Sequence, residues 1–341
     1  MIDHNHYVPI LKGRQGEYEA LQAMSPEVKQ GLTPIIEIPP VPWNYLHGRP
    51  AKTIDVHLAR VGNALESSWG RERPLFIDLL WNAAERMGSG RHPVVHVSDI
   101  ARARALQIVP VTGLGRDNDY QLACRESVGL DRRGLCLRLQ REDFEDLRQL
   151  DDQIVALLSN VRVSVEETDL VLDLRAVCIG EEPALLGQVP ALVAELPYVR
   201  NWRSLTLAGT AFPEDLMGIP PLGQAFVRRV EWALWRSLFA SSKIPRLPAF
   251  GDYAIAHIQP SEVDPRLMRP SASIRYATER DWLVIKARNL RDYGYGQFRD
   301  VSARLLARPE YRGEDFSWGT GTSRRVLIAR SARETLQPGE R

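Results

Sequence analysis

Lys12, Gly13 and Arg14 follow directly on the apolar run YVPIL that starts at Tyr7, and a helical stretch follows them. Two cations and a flexible backbone at a strand-to-helix turn suit an anion. Charged side chains recur in or just after other apolar runs. These are Glu37 in TPIIEI, Asp78 in PLFIDLL, Arg138 in GLCLRL, Asp173 and Arg175 in DLVLDLR, and Asp252 with Tyr253 in LPAFGDY. An ionised group in an apolar strand is costly unless it meets an opposite charge or water. Two arrangements satisfy that requirement. One is a ring of ion pairs that plugs the interior. The other is a polar pocket in which the basic members hold phosphate or another anion, while the carboxylates bind a metal or orient a substrate. Asp173 and Arg175 are two apart and therefore share a strand face, which leans toward a pocket.

The elements that must position these residues are legible as a series. Eight short apolar runs begin at Tyr7, Thr33, Pro74, Ile108, Gly134, Asp169, Ser204 and Leu247, and helical patterns lie between them. Runs of four to eight apolar residues without polar alternation are the mark of parallel strands covered on both faces. Eight such strands alternating with helices predict a (β/α)8 barrel of the TIM type, whose working residues sit at the C-terminal strand ends. The first helical stretch should split at Pro26. SDIARARALQ should start on a capping Ser98 or Asp99. The barrel is expected to occupy residues 1–258. Residues 259–341 read as an α+β appendage packed on the barrel mouth, with strands SIRYAT and WLVIKA, a helix in YGQFRDVSARLLAR and a flexible tail.

Several sharper motifs fail. His4-Asn5-His6 has the spacing of barrel metal ligands but precedes the first strand, at the wrong end. His92 and His96 enclose Pro93 and lack the following Glu of a zinc protease. GTGTSR from Gly319 has Arg324 where a dinucleotide loop needs glycine. GxSxG and a phosphate loop ending in GK[ST] are missing from the sequence. The reading therefore assigns no metal and no cofactor.

The net charge of +1 hides an asymmetry. Residues 265–341 carry sixteen basic and nine acidic side chains, leaving 28 basic and 34 acidic ones in the first 264. Such a split fits either nucleic-acid contact or a basic segment lying on an acidic body. The start of the chain lacks a basic stretch leading into a long apolar run, and no window reaches membrane-span length, so a cytoplasmic protein without a membrane partner is expected. Cys124, Cys136 and Cys178 have no CxxC spacing and read as reduced core thiols.

With YVPILKGRQGEYEAL, TPIIEIPP, IRYAT…WLVIKAR and YRGEDFSWG in place, the chain resembles the beta family proteins of phages, prophages and bacterial mobile-element loci. The resemblance implies a role in phage–host conflict and an operon-encoded partner protein, but no established reaction. Together with the residues, it gives the expectation of a phage-defence or mobile-element component whose mouth binds a phosphate-bearing ligand, a nucleotide or nucleic acid. Two rivals remain. One is a metal-dependent phosphodiesterase or nuclease using Glu37, Asp78 and Asp173. The other is a structural partner that neutralises or scaffolds a toxic neighbour. Three carboxylates converging within metal-ligand distance would favour the enzyme, and carboxylates each paired with Arg the binding module.

Overall fold

All eight apolar runs form strands in the computed structural model, which describes residues 2–144, 146–259, 264 and 266–313. In chain order they are β1 (Tyr7–Leu11), β2 (Ile35–Glu37), a hairpin of β3 (Trp43–Asn44) and β4 (Arg49–Pro50), β5 (Leu75–Asp78) and β6 (Ile108–Thr112). They continue as β7 (Leu135–Gln140), β8 (Thr168–Ala176), β9 (Ser204–Thr210), β10 (Gln224–Arg228) and β11 (Ala249–Asp252). Strands β1, β2, β5, β6, β7, β8, β9 and β11 close into one parallel barrel with helices between them. This is the TIM-type (β/α)8 architecture.

Strand phase divides the apolar side chains into two cores. Val8, Ile10, Ile35, Phe76, Val109, Val111, Cys136, Val171, Ala208 and Ala249 pack together inside the barrel. Their strand neighbours Leu11, Ile36, Ile77, Leu137, Leu172, Leu207 and Phe250 pack outward with helix residues such as Leu58, Leu65 and Ile154. Both faces are apolar because both are buried, which is why the strands read as unbroken runs. Each fully buried Val, Leu, Ile or Phe among them contributes roughly 1.5–3 kcal/mol.

Helix boundaries follow local chemistry. The first helical stretch divides into Gln15–Ala23 and Pro26–Gln30, with Ser25 Oγ accepting from the Val28 N–H. The helix expected to start at Ser98 or Asp99 begins earlier, at Pro93, and runs to Ala103. His92 Nδ1 accepts the Val94 N–H, and Pro93 takes the first helical position, where its missing N–H costs nothing. Cys124 and Cys136 are buried, whereas Cys178 is exposed and not the core thiol expected.

The chain divides into two compact units, residues 1–211 with 230–260, and 212–229 with 261–341. Segment 212–229 therefore departs from the 1–258 barrel read from the sequence. Its strand β10 pairs antiparallel with β13 (Asp281–Asn289), which pairs with β12 (Ser271–Ala277). The physical reason is apolar cover: Trp282 and Val284 of β13 pack with Phe212 and Ile219. The other face of this sheet buries Leu283 and Ile285 against Val301 and Leu305 of the helix Gln297–Leu306. The Phe316–Gly319 motif, the GTGTSR stretch and the tail lie outside the described residues. No helix among the described residues is long and apolar enough to cross a membrane.

Candidate functional site

At the C-terminal ends of the barrel strands, the inward phase that buries Ile10, Ile35, Phe76, Cys136 and Val171 continues into charged residues. Lys12, Glu37, Asp78, Arg138 and Asp173 each stand two positions beyond one of these apolar residues, and Tyr253 shares the inner core. All six are almost wholly buried. Arg138 occupies the centre. Its Nη1 donates to Glu37 Oε1 and to Asp78 Oδ2, each at 2.8 Å. Nε and Nη2 donate to Asp173 Oδ2 at 3.0 and 2.7 Å. Nη2 also donates to the Tyr253 hydroxyl at 2.6 Å, and that hydroxyl in turn donates to Asp173 Oδ2 at 2.6 Å. Every N–H of the guanidinium is thus engaged.

Lys12 and Arg116 complete the arrangement from either side of the adjacent pair Glu37 and Asp78, which are in register on β2 and β5. Lys12 Nζ donates to Glu37 Oε2 at 2.5 Å and to the Ile258 carbonyl at 2.6 Å, and lies 4.8 Å from the Tyr253 ring centre. Trp81 Nε1 donates to the same Glu37 oxygen at 3.3 Å. Arg116 Nη2 donates to Asp78 Oδ1 at 3.0 Å, and its guanidinium carbon lies 5.2 Å from the Tyr120 ring centre. Arg116 Nη1 is buried and has no acceptor among the described residues.

Three cations facing three carboxylates make the cluster formally neutral, which is the condition for burying it. Burial alone would raise the Glu37 carboxyl, but the charges of Arg138 and Lys12 outweigh it and hold Glu37 below its usual range. Burial dominates at Lys12, lowering its ammonium despite the partnership with Glu37. Burial also pushes the Tyr253 phenol well up, so it remains a neutral donor. For Arg138, burial acts to lower the value, yet Tyr253 and the three carboxylates overcome it and raise the guanidinium further.

The sequence-derived candidates separate by phase. Lys12, Glu37, Asp78, Arg138, Asp173 and Tyr253 come together. Gly13 has φ +60°, and a Cβ there would stand 3.1 Å from the Glu37 carbonyl oxygen, so glycine lets the chain reverse sharply while Lys12 points inward. Arg14 is exposed, and its backbone N–H is taken by Glu17 Oε2 at 2.9 Å. Asp252 is buried on the outer face with Phe250, accepting from the Tyr7 hydroxyl at 2.5 Å and the Ala254 N–H at 2.8 Å. Neighbouring strand residues point to opposite faces, so Asp252 and Tyr253 could not share the interior. Arg175 leaves the strand phase: a register irregularity between Asp173 and Ala176 and a φ of +58° redirect it. Its backbone N–H donates to Asp173 Oδ1 at 2.9 Å, while its side chain donates to Gln140 Oε1 at 2.8 Å. Sequence reasoning missed Arg116 and Trp81. Both follow barrel strands on their C-terminal side, and that position was the available signal.

A family profile described as Beta protein matches residues 7–337. Among curated proteins, none matches. Among solved structures, the chain is similar to triosephosphate isomerase from Bartonella henselae, at 8% identity and TM-score 0.39, over 73% of this chain and 92% of that one.

Proposed function

The chain belongs to the phage-associated Beta protein family, and on that footing we propose that its barrel mouth recognises a phosphate-bearing ligand, a nucleotide or nucleic acid. The observation that carries this reading is Arg116. One arm of its guanidinium is fixed by Asp78, and the other presents a buried donor without an acceptor. An unsatisfied buried donor costs about 1–3 kcal/mol, and an anionic oxygen is the partner that recovers it best. Lys12, with two of its three N–H groups engaged, supplies a second donor beyond Glu37. Arg138 supports the site without touching the ligand, because all its N–H groups are already used.

Recognition is favoured over metal-dependent hydrolysis by the same geometry. Arg138 Nη1 sits between Glu37 and Asp78 and bonds both. A divalent cation bridging those carboxylates would have to displace it and tolerate its charge nearby. The site would act in the cytoplasm as part of a phage-defence or mobile-element module, alongside an operon-encoded protein.

Calorimetric titration with inorganic phosphate, mononucleotides and short single-stranded DNA and RNA tests the reading, with Mg²⁺ present and absent. Saturable binding that weakens about tenfold or more in Arg116→Met is expected. Binding indifferent to Arg116→Met, or metal-dependent cleavage of the oligonucleotides lost in Asp78→Ala, overturns it.

A further inference from the structure

At the opposite end of the barrel, a cleft of about 490 Å³ opens among the N-terminal strand ends. That size lies within the range of small-molecule sites, roughly 300–1,000 Å³. Phe76 and Val109, inward-facing residues of β5 and β6, line it, together with Ile2 and Leu32. Four cations, Lys29, Arg73, Arg133 and Arg203, stand among the rest of its lining.

Asp169 is the one carboxylate among the described lining residues, and it is already committed. Arg203 Nε and Nη2 donate to its two oxygens at 3.1 and 2.5 Å, and Ser204 Oγ donates to Oδ1 at 2.7 Å. Arg203 and Asp169 therefore cancel, leaving three positive charges. Lys29 Nζ donates to the Ser68 carbonyl at 2.8 Å and lies 5.5 Å from the Trp69 ring centre, and Arg73 Nη2 donates to the Pro26 carbonyl at 3.3 Å. The exposed Glu27 carboxylate feels the charge of Arg73, but neither cation makes an ion pair among the described residues. The Arg133 guanidinium has no hydrogen bond or ion pair among the described residues; only its carbonyl is used, accepting from Arg203 Nη1. These cations also feel one another: partial burial and then the charge of Arg73 lower the Lys29 ammonium. Like charges gathered at an apolar-lined cleft cost stability unless an anion joins them.

We propose that this cleft is a second binding site, for a small phosphate ester with an apolar or aromatic body. Lys29, Arg73 and Arg133 take the dianion, while Phe76, Val109, Leu32 and Ile2 cover the body. A dianion fits three cations that make no ion pair better than a monoanion does, and the apolar lining gains nothing from a bare inorganic ion. The proposal is independent of the barrel-mouth reading, because none of the lining residues belongs to that cluster.

Calorimetric titration of the full chain with phenyl phosphate and with thymidine 5′-phosphate tests it. The two arms distinguish a simple aryl body from a nucleoside, and binding of either ester meets the proposal. The titrations are made on Arg116→Met, in which the mouth is silenced; saturable binding is expected to persist there and to weaken about tenfold or more when Arg133→Glu is added. Inorganic phosphate alone should bind at least about tenfold more weakly than the better ester, since it lacks the body. Arg133→Glu breaks no pairing, and an unchanged thermal melt verifies that it folds. Absence of saturable binding by both esters overturns the proposal, as does binding that Arg133→Glu leaves intact. Inorganic phosphate binding as tightly as the ester overturns the assignment of an apolar body. Loss of binding in Arg116→Met alone overturns this site while supporting the mouth.

Discussion

At the C-terminal end of the barrel, Lys12, Arg116 and Arg138 face Glu37, Asp78 and Asp173, whereas at the N-terminal end Lys29, Arg73, Arg133 and Arg203 line a cleft in which Asp169 is the one carboxylate among the described lining residues. The difference follows burial. The first cluster is nearly dry, so an unbalanced charge would carry a desolvation penalty that nothing repays, and neutrality is enforced. The cations of the second are only partly buried, and water screens the surplus. A neutral buried cluster fixes geometry. A half-exposed basic cleft leaves charge free for a ligand.

The sharpest break of this contrast is Arg138→Met. Three carboxylates would lose their shared partner, and unfolding in urea should show a loss of about 3–5 kcal/mol or an unfolded chain. A loss below about 1 kcal/mol would mean that the cluster is wetter than its burial indicates. Tyr253→Phe is gentler. It removes the hydroxyl between Arg138 and Asp173 while keeping the ring beside Lys12, so about 1–3 kcal/mol should go, read from the same denaturant midpoints.

Acid sharpens the comparison through Glu37, whose folded value is lowered. Its contribution is fully present above its unfolded value of about 4.3 and is lost as pH falls through the lower folded value. One such proton adds a slope of at most about 1.4 kcal/mol per pH unit in that window. The stability–pH profile of Glu37→Gln should be correspondingly shallower below about pH 4.3. Parallel profiles would show that Glu37 is not held by its two cations. The smallest effect belongs to the other end: Arg133→Ala should change stability by no more than about 0.5 kcal/mol, because its guanidinium bonds nothing among the described residues. A larger loss would reveal a structural role for that side chain.

The sequence alone determined the eight strands, their parallel order and most of the buried cluster. Strands covered on both faces must be apolar throughout, so a charge inside one stands out, as Glu37, Asp78, Arg138 and Asp173 do. It could not decide which face each charge occupies. Asp252 and Tyr253 are neighbours, and only closure of the barrel sends one outward to Tyr7 and the other inward to Arg138. Arg175 looked in phase with Asp173 until an irregularity in β8 turned it aside. Arg116 comes from a loop and Trp81 from the one-turn 3-10 helix Leu80–Asn82, where no periodicity marks which side chain returns to the interior. Segment 212–229 joins the second unit because Trp282 needs apolar cover from far along the chain. Periodicity is a local property that a sequence displays directly. Phase at a strand end, the return of a loop and the choice of a distant packing partner are decided only when the whole chain closes on itself.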